Sequence, residues 1–548
     1  MMSYKPVIGL EIHAELKTQT KMFCDSLNDP DEKHPNINVC PICMGHPGCL
    51  PVINQEAVKK VIMAGLALNC KIAEDTFFER KNYFYPDLPK GYQISQYQKP
   101  LCYDGFLELI TNYQLPITKK LIRITRIHLE EDAGRLVHVT NLAEQRGTNS
   151  EQRGNNIKIQ RQSASSQRES ATLVDYNRAG VPLMELVTEP DFETGQEVRD
   201  FASELQLIWK YLGVSDADME KGQMRVEVNI SLRPLNNAEL TQNKAESQRV
   251  SASGQRDSAV PLGTKVEIKN INSVKFAADA VDYEIKRQTE LLEAGEKVKQ
   301  ETRGWDEFKK QTFSQRSKEE AHDYRYFPEP DLPPLKFTKE QIEEMRMELL
   351  ELPSQRKLRF KKNYNLPEAD IEVFTVNKSL GDYYEHVASE LLSFDKLDHL
   401  KKPEAEHQDK LFKLASNYTI TELKRMCEEV SAEASDTKIT PEIFADLVVR
   451  VFHGEVSSSG AQTVLKEMFA TGNPPGQIIK EKNLEQVSNV EELNLAVAKV
   501  IADNQKAVED FKAGKEASLK FLIGMAMKET KGKANPQVVE EILREKLG

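Results

Sequence analysis

Polar and apolar residues alternate strictly over residues 10–16, within VIGLEIHAELKT. In an extended chain this puts Glu11, His13 and Glu15 on one face and Leu10, Ile12 and Ala14 on the other. The pattern predicts a strand with one acidic face. It recurs in MRVEVNISLRP, where Val226, Val228, Ile230 and Leu232 oppose Arg225, Glu227, Asn229 and Ser231. In GTKVEIKN, Val266 and Ile268 oppose Lys265, Glu267 and Lys269, and a fourth apolar run, LIRITRIHL, ends at Glu130, Glu131 and Asp132. A solvated sheet face alternates in the same way but usually mixes Thr, Lys, Ser and Glu. Here three strands carry a mid-strand glutamate, a poor strand former, and one adds a histidine. If these side chains converge, they form the donor set of a hard cation or an acid/base site.

Between these segments the period changes. Asn54 is placed to cap a helix with Ala57, Val58, Val61, Ile62 and Leu66 on its apolar face, and a second helix is expected over about residues 195–211. The loop ERKNYFYPDLPKGYQISQY is too aromatic for a spacer, and Lys81, Tyr83, Tyr85, Lys90 and Gln93 are candidates to line a polar pocket. An extended segment with Asn177, Arg178, Gly180 and Pro182 leads to Glu185, and Arg178 and Glu185 are further candidates for the site. Beyond residue 273 the apolar spacing becomes 3.6, predicting a long helix that closes a first domain near residue 295. The proline-rich stretch HDYRYFPEPDLPPLKF then reads as a stiff linker, followed by helices to about residue 435. Thr440 with Pro441 starts a last set of short helices. The expected domains are therefore 1–295, 296–435 and 436–548. Residues 143–171 and 243–259 repeat Gln-Arg at a spacing of seven or eight without an apolar stripe, which marks low-complexity insertions rather than coiled coil.

Composition narrows the class. The 548 residues exceed one core, no apolar run approaches the ~18 residues of a membrane span, and the N-terminus lacks a signal-peptide layout. A cytoplasmic protein without a disulfide framework is expected from seven scattered cysteines. A net charge of -12 argues against a nucleic-acid-coated protein but permits local basic patches. One such patch spans 512–533, with six lysines against two glutamates, including Lys528, Lys531 and Lys533. Cys40 and Cys43 form a CxxC knuckle, half of a zinc site, and Cys24 could add a third thiolate; completion would need His34, His46 or Cys49.

Taken together, LVDYNRAGVPLMELVTEPD, RKNYFYPDLPKGYQISQ, RIHLEEDAGR, VEVNISLRP, KNINS and DYRYFPEPDLPPL resemble the B subunits of the aspartyl/glutamyl-tRNA amidotransferases, the GatB family. The stretch GKEASLKFLIGMAMKETKGKANP is similar to that family's tRNA-binding tail, a module shared with YqeY-like proteins. The resemblance implies an α+β fold: an antiparallel-sheet catalytic cradle with a kinase-like site, a helical domain and a small all-α YqeY-like tail. It implies ATP-dependent phosphorylation of the side-chain carboxylate of mischarged Glu-tRNA(Gln) or Asp-tRNA(Asn), followed by displacement of phosphate by ammonia. The ammonia would come from a partner glutaminase, the amidase-type A subunit, with a small C subunit completing the complex and no membrane involved. The implied Mg²⁺ ligands and catalytic residues are Glu11, His13, Glu131 or Glu130, Glu227 and Glu267, with Lys81, Arg225, Lys265 and Lys269 toward ATP or substrate. Lys528, Lys531 and Lys533 would meet tRNA. Zinc-binding relatives carry CxC where this chain has Cys24 and Ser26, which leaves Cys24, Cys40 and Cys43 as a partial zinc site. The chain carries neither a GxxxxGK[ST] loop nor a protein-kinase motif set, so phosphoryl transfer requires a different fold. The competing expectation is a non-catalytic adaptor that only holds tRNA.

Overall fold

The computed structural model describes residues 4–112, 118–139, 171–235, 263–317, 324–393, 408–484, 490–512, 514–530, 534 and 536–547. Residues 143–170 of the first insertion and the whole of the second lie outside the described residues, as do Lys531 and Lys533.

The strands are β1 (Tyr4–Glu15), β2 (Lys71–Ile72), β3 (Asp75–Thr76), β4 (Glu79–Asn82), β5 (Tyr92–Ser95), β6 (Cys102–Asn112), β7 (Thr118–Glu131) and β8 (Arg135–Val139). They continue as β9 (Ala171–Asp175), β10 (Pro182–Thr188), β11 (Met224–Pro234), β12 (Val266–Lys269), β13 (Glu301–Asp306), β14 (Gln311–Ser317), β15 (Phe327–Pro328) and β16 (Leu335–Lys336). Nine of them form one sheet in the order β14-β13-β12-β11-β1-β10-β7-β6-β2, antiparallel except for the β12–β13 pair. The first strand of the chain sits at its centre, paired with β10 on one side and β11 on the other.

Alternation decides which face of this sheet is dry. Leu10, Ile12, Val226, Val228, Val266 and Ile268 are each at most 1% exposed and join one apolar core. Burying each such side chain contributes about 1.5–3 kcal/mol. Three helices share that core: Gln55–Ala67, Gly195–Leu212 and Val274–Glu293. Their starts are set by side-chain caps, since Asn54 accepts from Glu56 and Ala57, Thr194 from Glu197, and Ser273 from Phe276. With helices on one face, the Glu11 face of the central strands is left for polar side chains.

The domain boundary expected near residue 295 is corrected. The sheet continues through β13 and β14, and the first compact unit runs to Leu352. The proline-rich stretch is no free linker, because β15 pairs with β4 and β16 with β3. Arg80 of β4 also grips the buried Glu329 through Nε and Nη2 at 2.6 and 2.7 Å. The second unit, Pro353–Gly548, is helical among its described residues and holds two apolar cores. The first includes Phe360, Tyr384, Phe444 and Ile479; the second starts at Leu493. Thr440 caps the helix Pro441–Phe452 as expected, but that helix packs in the first core, so a division near 436 cuts through it. No described helix is long and apolar enough to cross a membrane.

Candidate active site

Strand register lines up the polar side chains in rows across the sheet. His128 of β7, Glu185 of β10, His13 of β1 and Arg225 of β11 stand opposite one another. The next row runs Arg126, Val187, Glu11 and Glu227. His13 Nε2 lies 3.3 Å from Glu185 Oε2 and 4.0 Å from Glu11 Oε1. His128 Nε2 lies 3.6 Å from the same Glu185 oxygen and 3.4 Å from Glu130 Oε1. The result is two overlapping trios, Glu11/His13/Glu185 and His128/Glu130/Glu185, each with donor atoms within 4.8 Å of one another. Glu185 belongs to both.

The electrostatics follow from this crowding. Burial pulls the His13 imidazole down, but the hydrogen bond and charge of Glu185 outweigh it and raise it to about 9. Burial would raise Glu185, yet His128, His13 and Arg126 hold it well below the usual carboxylate range. Glu11 goes the other way: burial, then the charges of Glu185 and Glu227, raise it. Glu15, further along β1, is pushed up to about 7 by burial and Asp132. A proton on His13 thus balances Glu185, and a cation taking His13 as a ligand has to displace it.

The surroundings lock these groups in place. Ser95 Oγ donates to Glu130 at 2.6 Å and Gln93 Nε2 at 3.1 Å. Lys81 of β4 lies against the rings of Tyr83 and Tyr324, and its ammonium, disfavoured by burial, is raised by Glu130 and Glu185 among others. Arg225 Nη2 reaches Asp132 Oδ2 at 2.8 Å, and Arg178 Nε lies 3.5 Å from that oxygen.

Not every expected residue joins the cluster. Glu131 points away from Glu130, where Lys90 and the Ile94 N–H engage it, the latter at 2.9 Å. Lys269 Nζ sits 2.7 Å from Glu227 and 3.5 Å from Glu267, and Thr302 donates to Glu267 at 2.9 Å. Glu227 and Glu267 therefore flank the trios instead of entering them. Lys265 is exposed ahead of β12, and Lys528 ends a helix of the second unit, Glu516–Glu529. Glu185, only a minor candidate from sequence, proves central, and His128 was missed. The signal for Glu185 was one carboxylate inside an otherwise apolar run; for His128, it was the place two residues before Glu130 on the same strand face.

Apart from the acidic face, the Cys24, Cys40 and Cys43 sulfurs lie within 4.8 Å of one another. Cys40 N–H donates to Cys43 Sγ at 3.0 Å, and the fully buried Lys21 braces the loop through Asn38 O and Ala179 O at 2.6 and 2.8 Å. A hydrogen bond from Cys24 is the main reason that the Cys43 thiol falls to about 5. Ser26 hydrogen-bonds Cys24 through its backbone and side chain. His34, His46 and Cys49 do not join the group.

A family model for the GatB/GatE catalytic domain matches residues 6–343, and one for the GatB domain matches residues 403–547. The chain belongs to the GatB family. A relative from Carboxydothermus hydrogenoformans, an aspartyl/glutamyl-tRNA(Asn/Gln) amidotransferase B subunit, is 45% identical over 547 residues, covering 100% of this chain and 99% of its own length. Proteins of the same name from Thermoanaerobacter pseudethanolicus and Thermotoga sp. are 43% and 42% identical, each covering 100% of this chain and 100% and 99% of their own lengths. The GatB/GatE catalytic match ends close to the structural division after Leu352 and includes both histidines and all the carboxylates of the sheet face.

Proposed function

We propose that this chain is the activating component of a multi-subunit, tRNA-dependent amidotransferase. Family membership and relatives named as amidotransferase B subunits along their whole length support the transamidation. The side-chain carboxylate of Glu-tRNA(Gln) or Asp-tRNA(Asn) attacks the γ-phosphorus of ATP, releasing ADP. Ammonia then attacks the acyl carbon, and phosphate leaves with one former carboxylate oxygen. The first step is needed because a carboxylate oxygen is a poor leaving group until it is phosphorylated. The observation that carries the reading is the convergence of Glu11, His13, His128, Glu130 and Glu185 on one face of a rigid sheet.

This donor set suits Mg²⁺, which is held by few protein carboxylates and completes its shell with phosphate and water. Glu11, His13, Glu185 and Glu130 would hold it, and it would supply charge neutralisation at the transferring phosphoryl group. Glu227 and Glu267, tied to Lys269, would flank that position, and Lys81 and Arg225 would face phosphate or the substrate carboxylate. Cys24, Cys40 and Cys43 offer zinc three thiolates, with the Ser26 hydroxyl beside Cys24. A partner glutaminase, the A subunit, would supply ammonia, and a small C subunit would complete the assembly. The basic tail with Lys528, Lys531 and Lys533 would approach tRNA. An adaptor would not require two overlapping trios of titratable groups that share Glu185, and this weighs against that alternative.

The test uses the assembled complex with Glu-tRNA(Gln), ATP, Mg²⁺ and ammonium chloride in place of glutamine. Glu185→Gln and Glu11→Gln are expected to lower Gln-tRNA formation by about 100-fold or more, with tRNA affinity unchanged. Equal conversion by wild type and both variants would overturn the assignment.

A further inference from the structure

Beside the acidic face stands an aromatic surface that phosphoryl transfer leaves without a task. Tyr97 and Tyr326 stack with centroids 4.8 Å apart and planes 16° from parallel, yet Tyr97 keeps 52% of its surface exposed. Tyr97 is held at the surface by its backbone: the fully buried Glu79 accepts the N–H groups of Tyr97 and Gln98 at 2.9 and 2.7 Å. Tyr326 is fixed by its place next to β15, which pairs with β4. The Arg126 guanidinium lies 5.6 Å from the Tyr97 centroid, and its Nη2 is 3.4 Å from Glu185 Oε1. One arginine side chain thus spans the gap from the exposed ring to the carboxylate shared by both trios.

We propose that Tyr97 and Tyr326 form a stacking platform for an adenine base, brought by ATP or by the 3′-terminal nucleotide of tRNA. A base resting there leaves its phosphates, or its aminoacyl end, close to the acidic face. Aromatic stacking and a neighbouring guanidinium are the means by which proteins hold unpaired bases. The ring face matters in such a contact and the phenol hydroxyl does not. The proposal rests on the reading of the strand face as the reaction site, but its test is a binding measurement that does not depend on turnover.

Binding is measured on the full chain in its complex for wild type, Tyr97→Ala and Tyr97→Phe. The probes are a non-hydrolysable ATP analogue, inorganic tripolyphosphate, and tRNA with or without its terminal adenosine. If ATP supplies the base, Tyr97→Ala weakens the analogue about 5- to 150-fold, leaves tripolyphosphate within about twofold, and Tyr97→Phe restores binding. If tRNA supplies it, wild type loses a similar factor when the adenosine is removed, and Tyr97→Ala is indifferent to the removal. Tyr97→Leu, which keeps bulk without a π face, replaces the alanine variant should that variant misfold. The proposal is overturned if neither probe responds to loss of the ring, or if Tyr97→Phe is as damaging as Tyr97→Ala.

Discussion

Glu185→Gln should weaken the sheet domain in a way that depends on pH, and the structure sets the size of the effect. The substitution keeps shape and removes one charge from a side chain only 6% exposed, facing a His13 side chain only 14% exposed. Holding a proton on His13 up to about 9 rather than 6.5 stabilises the fold by about 3 kcal/mol, at ~1.36 kcal/mol per tenfold. The share of the Glu185 depression that His13 causes is the same interaction viewed from its partner and is counted once; the shares of His128 and Arg126 are left out of this figure. Glutamine still offers an oxygen to His13, retaining about 1 kcal/mol, so the expected net loss is about 2 kcal/mol. The sign follows from His13 being raised in the folded state. Its stabilisation is complete below pH 6.5 and disappears as pH rises through about 9. Urea unfolding in EDTA, followed by tryptophan fluorescence, isolates this domain, because both tryptophans of the chain, Trp209 and Trp305, are buried in it. Wild type should exceed the variant by about 2 kcal/mol at pH 6, with the gap closing toward about pH 10. A gap below about 0.5 kcal/mol at pH 6, or one that ignores pH, refutes the coupling of His13 to Glu185.

Further outcomes follow from the same groups. Mg²⁺ binding at pH 7.5 should release close to one proton, because His13 titrates at about 9 without the ion; calorimetry in buffers of different ionisation enthalpy measures it, and zero release removes His13 from the ligand set. Glu15 is raised to about 7 from 4.5 in the fold, so the folded state binds its proton more tightly and stability is lost as pH climbs through that window. Glu15→Gln in EDTA should therefore raise the melting temperature at pH 8 and leave it unchanged near pH 4.5; the opposite trend contradicts the burial argument. Ser26→Cys should tighten zinc binding in chelator competition by adding a fourth thiolate to Cys24, Cys40 and Cys43, whereas unchanged affinity would put Ser26 outside the site.

Much of the site could be read from the period of the chain. The strands β1, β11 and β12 each have one apolar and one polar face, so alternation alone assigns Glu11, His13, Glu227 and Glu267 to the polar side. Strand β10 hides this signal. All of its residues except Val187 are buried, so PLMELVT reads as a continuous apolar run and conceals that Glu185 shares a face with His13. At the end of β7 the same rule separates neighbours: Glu130 turns toward His128, while Glu131 turns to Lys90, a partner 41 residues away that no local pattern reveals. The proline-rich stretch misled for a related reason. Its few backbone pairs are made with β3 and β4, some 250 residues earlier, and Arg80 secures them by gripping Glu329.

The proposed phosphorylation of the substrate's own carboxylate oxygen on the Glu11–Glu185 face can be followed by isotope transfer. The most direct measurement supplies Glu-tRNA(Gln) labelled with ¹⁸O in the side-chain carboxylate, together with ATP, Mg²⁺ and ammonium chloride, and reads the released phosphate by mass spectrometry. Activation as an acyl phosphate transfers one labelled oxygen to phosphate for each Gln-tRNA formed, and Glu185→Gln suppresses the labelled product. Unlabelled phosphate accompanying normal Gln-tRNA formation would contradict activation at this site.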